Sequence, residues 1–311
     1  MTNWFPAPKR TVTALASAAS VVLGLWVTPS LAADPFRTTN VRNIGDNTEA
    51  AFKAIFQQGN YKEAKSYLSK AKASEPNEPL AYAMLASLAY TENDWETLKQ
   101  YASKTLQTAQ QLTTTDPLRG NLYIAVGHFL EGAYDSKKPG GGVVGAMSKL
   151  QKVFQALDEA KKIDPNDPEL NLLNGYMDLM LAVNLPFSDP SQAIERLQKY
   201  GSPPYLVERG IALGYRDLKN YSKAMEFVDR AIADAPNNPD LLYLKAQILV
   251  KQDKRKEALD FFQKALAKQA QLPNRYVAQI TYEQCVAQSK LDNTNKDCDA
   301  IRDSIRARKN G

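Results

Sequence analysis

NYSKAMEFVDRAIADAPNNPD, from Asn220 to Asp240, carries a small residue at Ala224, apolar residues at Val228 and Ala231, and a proline at Pro236. Spacings of four and then three residues return to one face of a helix, so these three side chains form a single stripe. An alanine at the start of that stripe lets a second helix backbone approach closely. Pro236 follows, where it cannot continue the helix. Pro239 then falls at the position of a first helical turn. The stretch therefore describes one helix, a tight turn and the entry to another helix.

The same pattern occurs elsewhere in the chain. NYKEAKSYLSKAKASEPNEP, from Asn60 to Pro79, matches it with Ala64, Leu68, Ala71 and Pro76. DKRKEALDFFQKALAKQA supplies Ala258, Phe262 and Ala265, and VFQALDEAKKIDPNDP supplies a further copy with its proline at Pro165. Recurrence at this length marks a repeat protein, in which each unit buries its apolar stripe against its neighbours.

With these residues in view, the chain resembles the tetratricopeptide repeat family, whose 34-residue unit is a pair of antiparallel helices. The resemblance implies an all-α fold, a right-handed superhelical solenoid of antiparallel helix pairs. Taking the prolines as unit ends divides residues 45–272 into six units, 45–78, 79–117, 118–167, 168–204, 205–238 and 239–272. Gly127 and Gly175 take a small-residue position in the third and fourth. Residues 273–311 form a last, capping helical hairpin. The resemblance also implies which side chains line the concave groove: Tyr90, His128, Tyr176, Arg209, Arg216, Tyr243, Gln247 and Lys251. Tyr and Arg are the types that most often carry binding energy. Arg209, Arg216 and Lys251 would make the C-terminal part of the groove cationic, suited to an acidic or C-terminal-carboxylate peptide. The opposing expectation is that these arginines pair with acids of the solenoid itself, such as Asp217.

The N-terminus reads differently. Lys9 and Arg10 precede an apolar, small-residue run from Val12 to about Val27, and Ser30 and Ala32 occupy the small positions of a cleavage site. Residues 1–32 thus read as a secretory signal peptide, cut after Ala32 or Ala33. Residues 33–44 read as a flexible lead-in. No other segment is apolar enough to span a membrane. The expected location is an exported compartment: the periplasm, or the thylakoid lumen if the source is cyanobacterial. In such a compartment Cys285 and Cys298, the two cysteines of the chain, are expected to pair. A bridge across that loop would add about 3 kcal/mol in the chain-entropy model.

Chemistry is sparse. The formal net charge of +5 is spread along the chain without a basic tract, which speaks against nucleic-acid binding. His128 is the sole histidine and has no cysteine or second histidine to complete a metal site. No G-x-S-x-G occurs, and the Gly140–Gly142 run in the Gly-rich insertion 139–145 lacks the order of a phosphate loop, so it reads as a flexible loop. Neither a catalytic residue nor a cofactor is expected. The function expected is a non-catalytic, monomeric protein–protein interaction scaffold or assembly factor that holds a protein or peptide segment in its groove. The alternatives are a small-ligand or metal carrier of the cell envelope, or the regulatory module of an enzyme.

Overall fold

The computed structural model describes residues 34–137, 143–184 and 190–308. The expected signal peptide, 1–32, lies outside them, as do residues 138–142 of the Gly-rich insertion. Among the described residues there are helices and connections and no strands. Helices α1 (Asp46–Phe52), prolonged by a π-helical turn at Lys53–Gln57, and α2 (Tyr61–Ser74) form the first hairpin. α3 (Pro79–Glu92) packs on α4 (Trp95–Leu112), α5 (Pro117–Lys137) on α6 (Val143–Ile163), and α7 (Pro168–Asn184) on α8 (Ser191–Tyr200). α9 (Pro204–Asp217) packs on α10 (Tyr221–Asp234), α11 (Pro239–Lys251) on α12 (Arg255–Leu266), and α13 (Asn274–Leu291) on α14 (Cys298–Arg306). The architecture is a helical solenoid.

Local chemistry sets where these helices begin. Asn60 and Asn220 cap α2 and α10, accepting from the Glu63 and Lys223 N–H groups, and Asp94 and Asp297 do the same for α4 and α14. Four first helices of the pairs open instead with a polar residue followed by proline. Glu78, Asp116, Asp167 and Asn238 each accept a first-turn N–H ahead of Pro79, Pro117, Pro168 and Pro239. The proline needs no partner for its missing N–H, and the cap contributes about 1 kcal/mol. The stripes predicted from the repeats are the core. Ala64, Leu68, Ala71, Ala224, Val228, Ala231, Ala258, Phe262 and Ala265 all have 0% exposure. Cys285 and Cys298 form a disulfide with Cα atoms 5.7 Å apart, tying α14 to α13. No helix among the described residues is long and apolar enough to cross a membrane.

Two features depart from the sequence reading. The lead-in, expected to be flexible, is packed from Asp34 onward. Phe36 is 3% exposed and Ile44 is 0%, and the Phe36 ring meets Phe52 edge-on at 4.9 Å. Asp34 fixes the turn by accepting the Phe36 and Arg42 N–H groups. Arg42 then reaches three carboxylates, Asp116, Asp167 and Glu169, at 2.9, 3.0 and 3.0 Å, and Arg37 also pairs with Asp167. Arg119 joins Glu78 to Glu169 at 2.7 and 3.2 Å, while the Tyr123 hydroxyl donates to Glu169. Burial raises the Glu169 pKa, against the pull of Arg119 and Arg42. The acids that start α3, α5 and α7 are thereby gathered into one ionic clasp over the lead-in.

The second departure is closure. An open solenoid keeps its ends apart, yet here the first hairpin touches the last units. Asn238 donates to the Phe56 carbonyl at 2.9 Å, Gln271 to the Gln58 and Gly59 carbonyls, and the Tyr61 hydroxyl to Asp240 at 2.5 Å. Gly59 adopts φ +62° against Pro239, where a Cβ would lie 2.6 Å from the proline ring. The joint combines these hydrogen bonds with an edge-on contact of the Tyr61 and Tyr276 rings, unlike the Ala/Leu stripes between neighbouring helices.

Candidate functional site

The predicted groove residues separate into four places. Tyr90 lies at the end of α3, 42% exposed, with its ring edge-on to Trp95. His128, on α5, is half-buried with Nδ1 3.2 Å from Glu131 Oε2, and Lys149 pairs with the same carboxylate oxygen.

Tyr176 and Arg209 sit at the centre of the molecule. The Tyr176 hydroxyl donates to the Leu206 carbonyl at 2.7 Å and interacts with Arg209. Gly210 leaves the room its ring needs, since a Cβ there would meet the ring at 2.9 Å. Arg209 is half-buried in the field of Tyr176, Asp240, Tyr61 and Tyr276. Those partners hold its pKa above the ordinary value in spite of burial, which by itself would lower it. Arg209 therefore belongs to the closing joint and is not a free cation of the groove.

Arg216, Tyr243 and Gln247 come together in one hydrogen-bonded network across α9, α11 and α13, with Lys251 beside it on α11. Tyr243 and Gln247 are one helical turn apart on α11, so both aim at Glu283 of α13. Tyr243 donates to Glu283 Oε1 at 2.6 Å, Gln247 to Oε2 at 3.0 Å, and Gln279 to Oε1 at 2.9 Å. Gln247 in turn accepts from Arg216 Nη1 at 2.7 Å, and Arg216 Nε donates to Asp217 at 2.7 Å. Burial, then Glu283, push the Tyr243 pKa up. The network is the floor of a cleft of about 400 Å³. Its walls carry four cations, Arg216, Lys251, Arg255 and Lys290, against two carboxylates, Asp217 and Glu283. Glu283 accepts from three neutral donors, and Asp217 pairs with Arg216 through Oδ1. Lys251 and Lys290 form no ion pair among the described residues. Arg255 pairs with Asp253 through Nη1, and its buried Nε has no partner. Arg255, Lys290 and Glu283 were missed from the sequence because they come from a second helix and from the capping hairpin, outside the pattern of first-helix positions.

A second, apolar cavity of about 410 Å³ opens between α3, α5 and α7, lined by Ser87, Val126, Phe129, Leu130, Leu173, Tyr176, Met177 and Met180. No cluster of three or more His, Cys, Asp or Glu side chains able to hold a metal ion occurs among the described residues.

Fold and cleft together define a helical-repeat solenoid with a cleft in its C-terminal units that carries charged side chains. The sequence model of the tetratricopeptide repeat family matches residues 215–280, the segment that contains Arg216, Tyr243, Gln247, Lys251 and Arg255. A tetratricopeptide repeat protein from Parabacteroides merdae is similar, with 14% identity and a TM-score of 0.44, over 85% of this chain and 100% of that one. The human IFIT1 dimer with m7Gppp-AAAA has 16% identity and a TM-score of 0.40, over 83% of this chain and 57% of that one. No curated protein matches.

Proposed function

We propose that the protein is a non-catalytic interaction scaffold of an exported compartment and that its C-terminal cleft receives an acidic segment of a protein partner. The observation that carries this reading is the set of cations around the cleft: Lys251 and Lys290, which form no ion pair among the described residues, and Arg255, whose buried Nε has no partner. Tetratricopeptide repeats generally mediate protein–protein interaction, and the matched segment forms two of the cleft's three walls. Export is supported by the leader pattern of residues 1–32 and by a disulfide of the kind that persists in oxidising compartments. The periplasm and the thylakoid lumen both fit.

The test is binding of a fluorescent poly-L-glutamate peptide to the purified protein at several salt concentrations. Reversing Lys251 and Lys290 to Glu is expected to weaken binding at least about tenfold and to flatten its salt dependence. Unchanged affinity in that variant would remove the cleft from consideration. The apolar cavity favours a second reading, a small-ligand carrier, because its size and lining are those of ligand pockets. Native mass spectrometry of protein from its own envelope would reveal a retained small molecule.

A further inference from the structure

The closing joint and the cleft are built on the same three helices, two turns apart. On α9 the joint holds Arg209 and the cleft holds Arg216; on α11 the pair is Asp240 and Gln247; on α13 it is Tyr276 and Glu283. Each pair is separated by seven residues, so both members share one helix face and lie about 10 Å apart along it. The joint is bridged by a residue from the opposite end of the chain. Tyr61, at the start of α2, donates to Asp240 of α11 at 2.5 Å and sets its ring edge-on to Tyr276 of α13 at 5.4 Å. Seven residues further along, the same two helices are bridged again, by Gln247 and Glu283. Tyr61 thus acts as a spacer at one end of the α11–α13 gap whose other end is the cleft.

Tyr61 does not stand alone. The hydrogen bonds from Asn238 to Phe56 and from Gln271 to Gln58 and Gly59 hold the first hairpin on the same helices. These hydrogen bonds join the two ends of the solenoid, with solvent close to the Gln271–Gln58 contact. Opening the joint removes Tyr61 from between α11 and α13 and leaves the cleft network as a second bridge between them, with Thr91 of α3 still bonded to Tyr276.

We propose that Tyr61 is a positioning residue for the cleft, and that closure of the joint and occupancy of the cleft are linked, each favouring the other. The proposal rests on the reading of the cleft as the partner site. An acidic segment bridging Arg216 and Lys251 on one side and Lys290 on the other draws α9, α11 and α13 into the spacing that Tyr61 also requires. Two sites that prefer one arrangement of the same helices stabilise each other, and the coupling is reciprocal.

The experiment combines poly-L-glutamate binding with hydrogen exchange at segments 54–61 and 271–276. Tyr61→Phe removes the hydrogen bond to Asp240 and keeps the ring. Gly59→Ala opens the joint sterically, without touching a charge. Both are expected to weaken peptide binding about fivefold and to speed exchange on both sides of the joint. In the wild-type protein, saturation with peptide is expected to slow exchange at those segments by the same factor. Lys251→Glu is expected to lose binding while joint exchange stays at the wild-type rate, which separates a lost contact from a lost spacer. Wild-type affinity in Tyr61→Phe, with joint exchange accelerated, would overturn the linkage and leave the cleft standing. A wild-type protein that binds no peptide would overturn the cleft reading and this proposal with it.

Discussion

At the scale of single residues, burial and partners decide what a side chain is available to do. Arg209 and Arg216 occupy comparable positions in the sequence, and both were candidates for a cationic groove. The first interacts with three tyrosines and Asp240 of the joint, whereas the second lines the cleft with Nε on Asp217 and Nη1 on Gln247. His128 makes the point for titration. Burial lowers its pKa, the hydrogen bond to Glu131 and the Glu131 charge offset only part of that, and Lys152 and Lys149 repel the imidazolium. A depressed pKa means that folding favours the neutral ring. Its contribution to stability is present above the ordinary histidine range and is lost as pH falls through the depressed value. As the sole histidine, it permits a direct measurement: its NMR titration midpoint is expected below the value for an unfolded chain, and His128→Gln should remove that slope from the pH dependence of stability.

At the scale of elements, the repeats were legible because helix period and capping act locally. The Ala–apolar–Ala stripes, the Asn caps and the proline entries all follow from neighbours within a few residues. One cap does not. Helix α1 has no side-chain cap from its own N-terminal residue Gly45; Glu75, just past the end of α2, takes that role. It accepts from the Asn47 and Thr48 N–H groups, each at 2.9 Å, and from the Thr48 hydroxyl at 2.6 Å. Burial acts to raise the Glu75 pKa, yet these hydrogen bonds outweigh it and hold the carboxyl below its ordinary value. The stabilisation is therefore present above the ordinary carboxylate range and disappears as pH falls through the depressed value. Glu75→Gln is expected to cost about 1 kcal/mol in urea unfolding at neutral pH, with the difference from wild type closing in acid. A constant difference at all pH values would show that the charge is not what caps α1.

At the scale of the whole molecule, the clasp and the closing joint carry the contacts of greatest sequence separation. Arg42 lies over Asp167 and Glu169, whose side chains have no exposure, so removing the arginine leaves buried carboxylates short of a partner. Arg42→Ala is expected to destabilise the fold by about 3 kcal/mol, read from denaturant midpoints. Arg42→Lys should recover only part of this, since an ammonium cannot present separate nitrogens to Asp116, Asp167 and Glu169 in the plane that a guanidinium does. Loss of less than about 0.5 kcal/mol in the alanine variant, the range of ordinary surface substitutions, would mean that the lead-in is ornamental to the fold.

The sequence by itself determined the helix pairs, their order, their buried stripes and the pairing of the two cysteines, because each rests on period, capping or short loop closure. The family resemblance also pointed to Arg216 on α9 and to Tyr243, Gln247 and Lys251, which share a face of α11 by helical spacing. Only the tertiary structure decided that residues 34–44 are clasped, that Arg209 is enclosed, and that Arg255, Lys290 and Glu283 complete the cleft. Those outcomes depend on how small rotations between successive hairpins add up until the first meets the last. No local pattern encodes that sum; the polar groups that end up facing one another at the joint become visible only when the chain has come around to place them there.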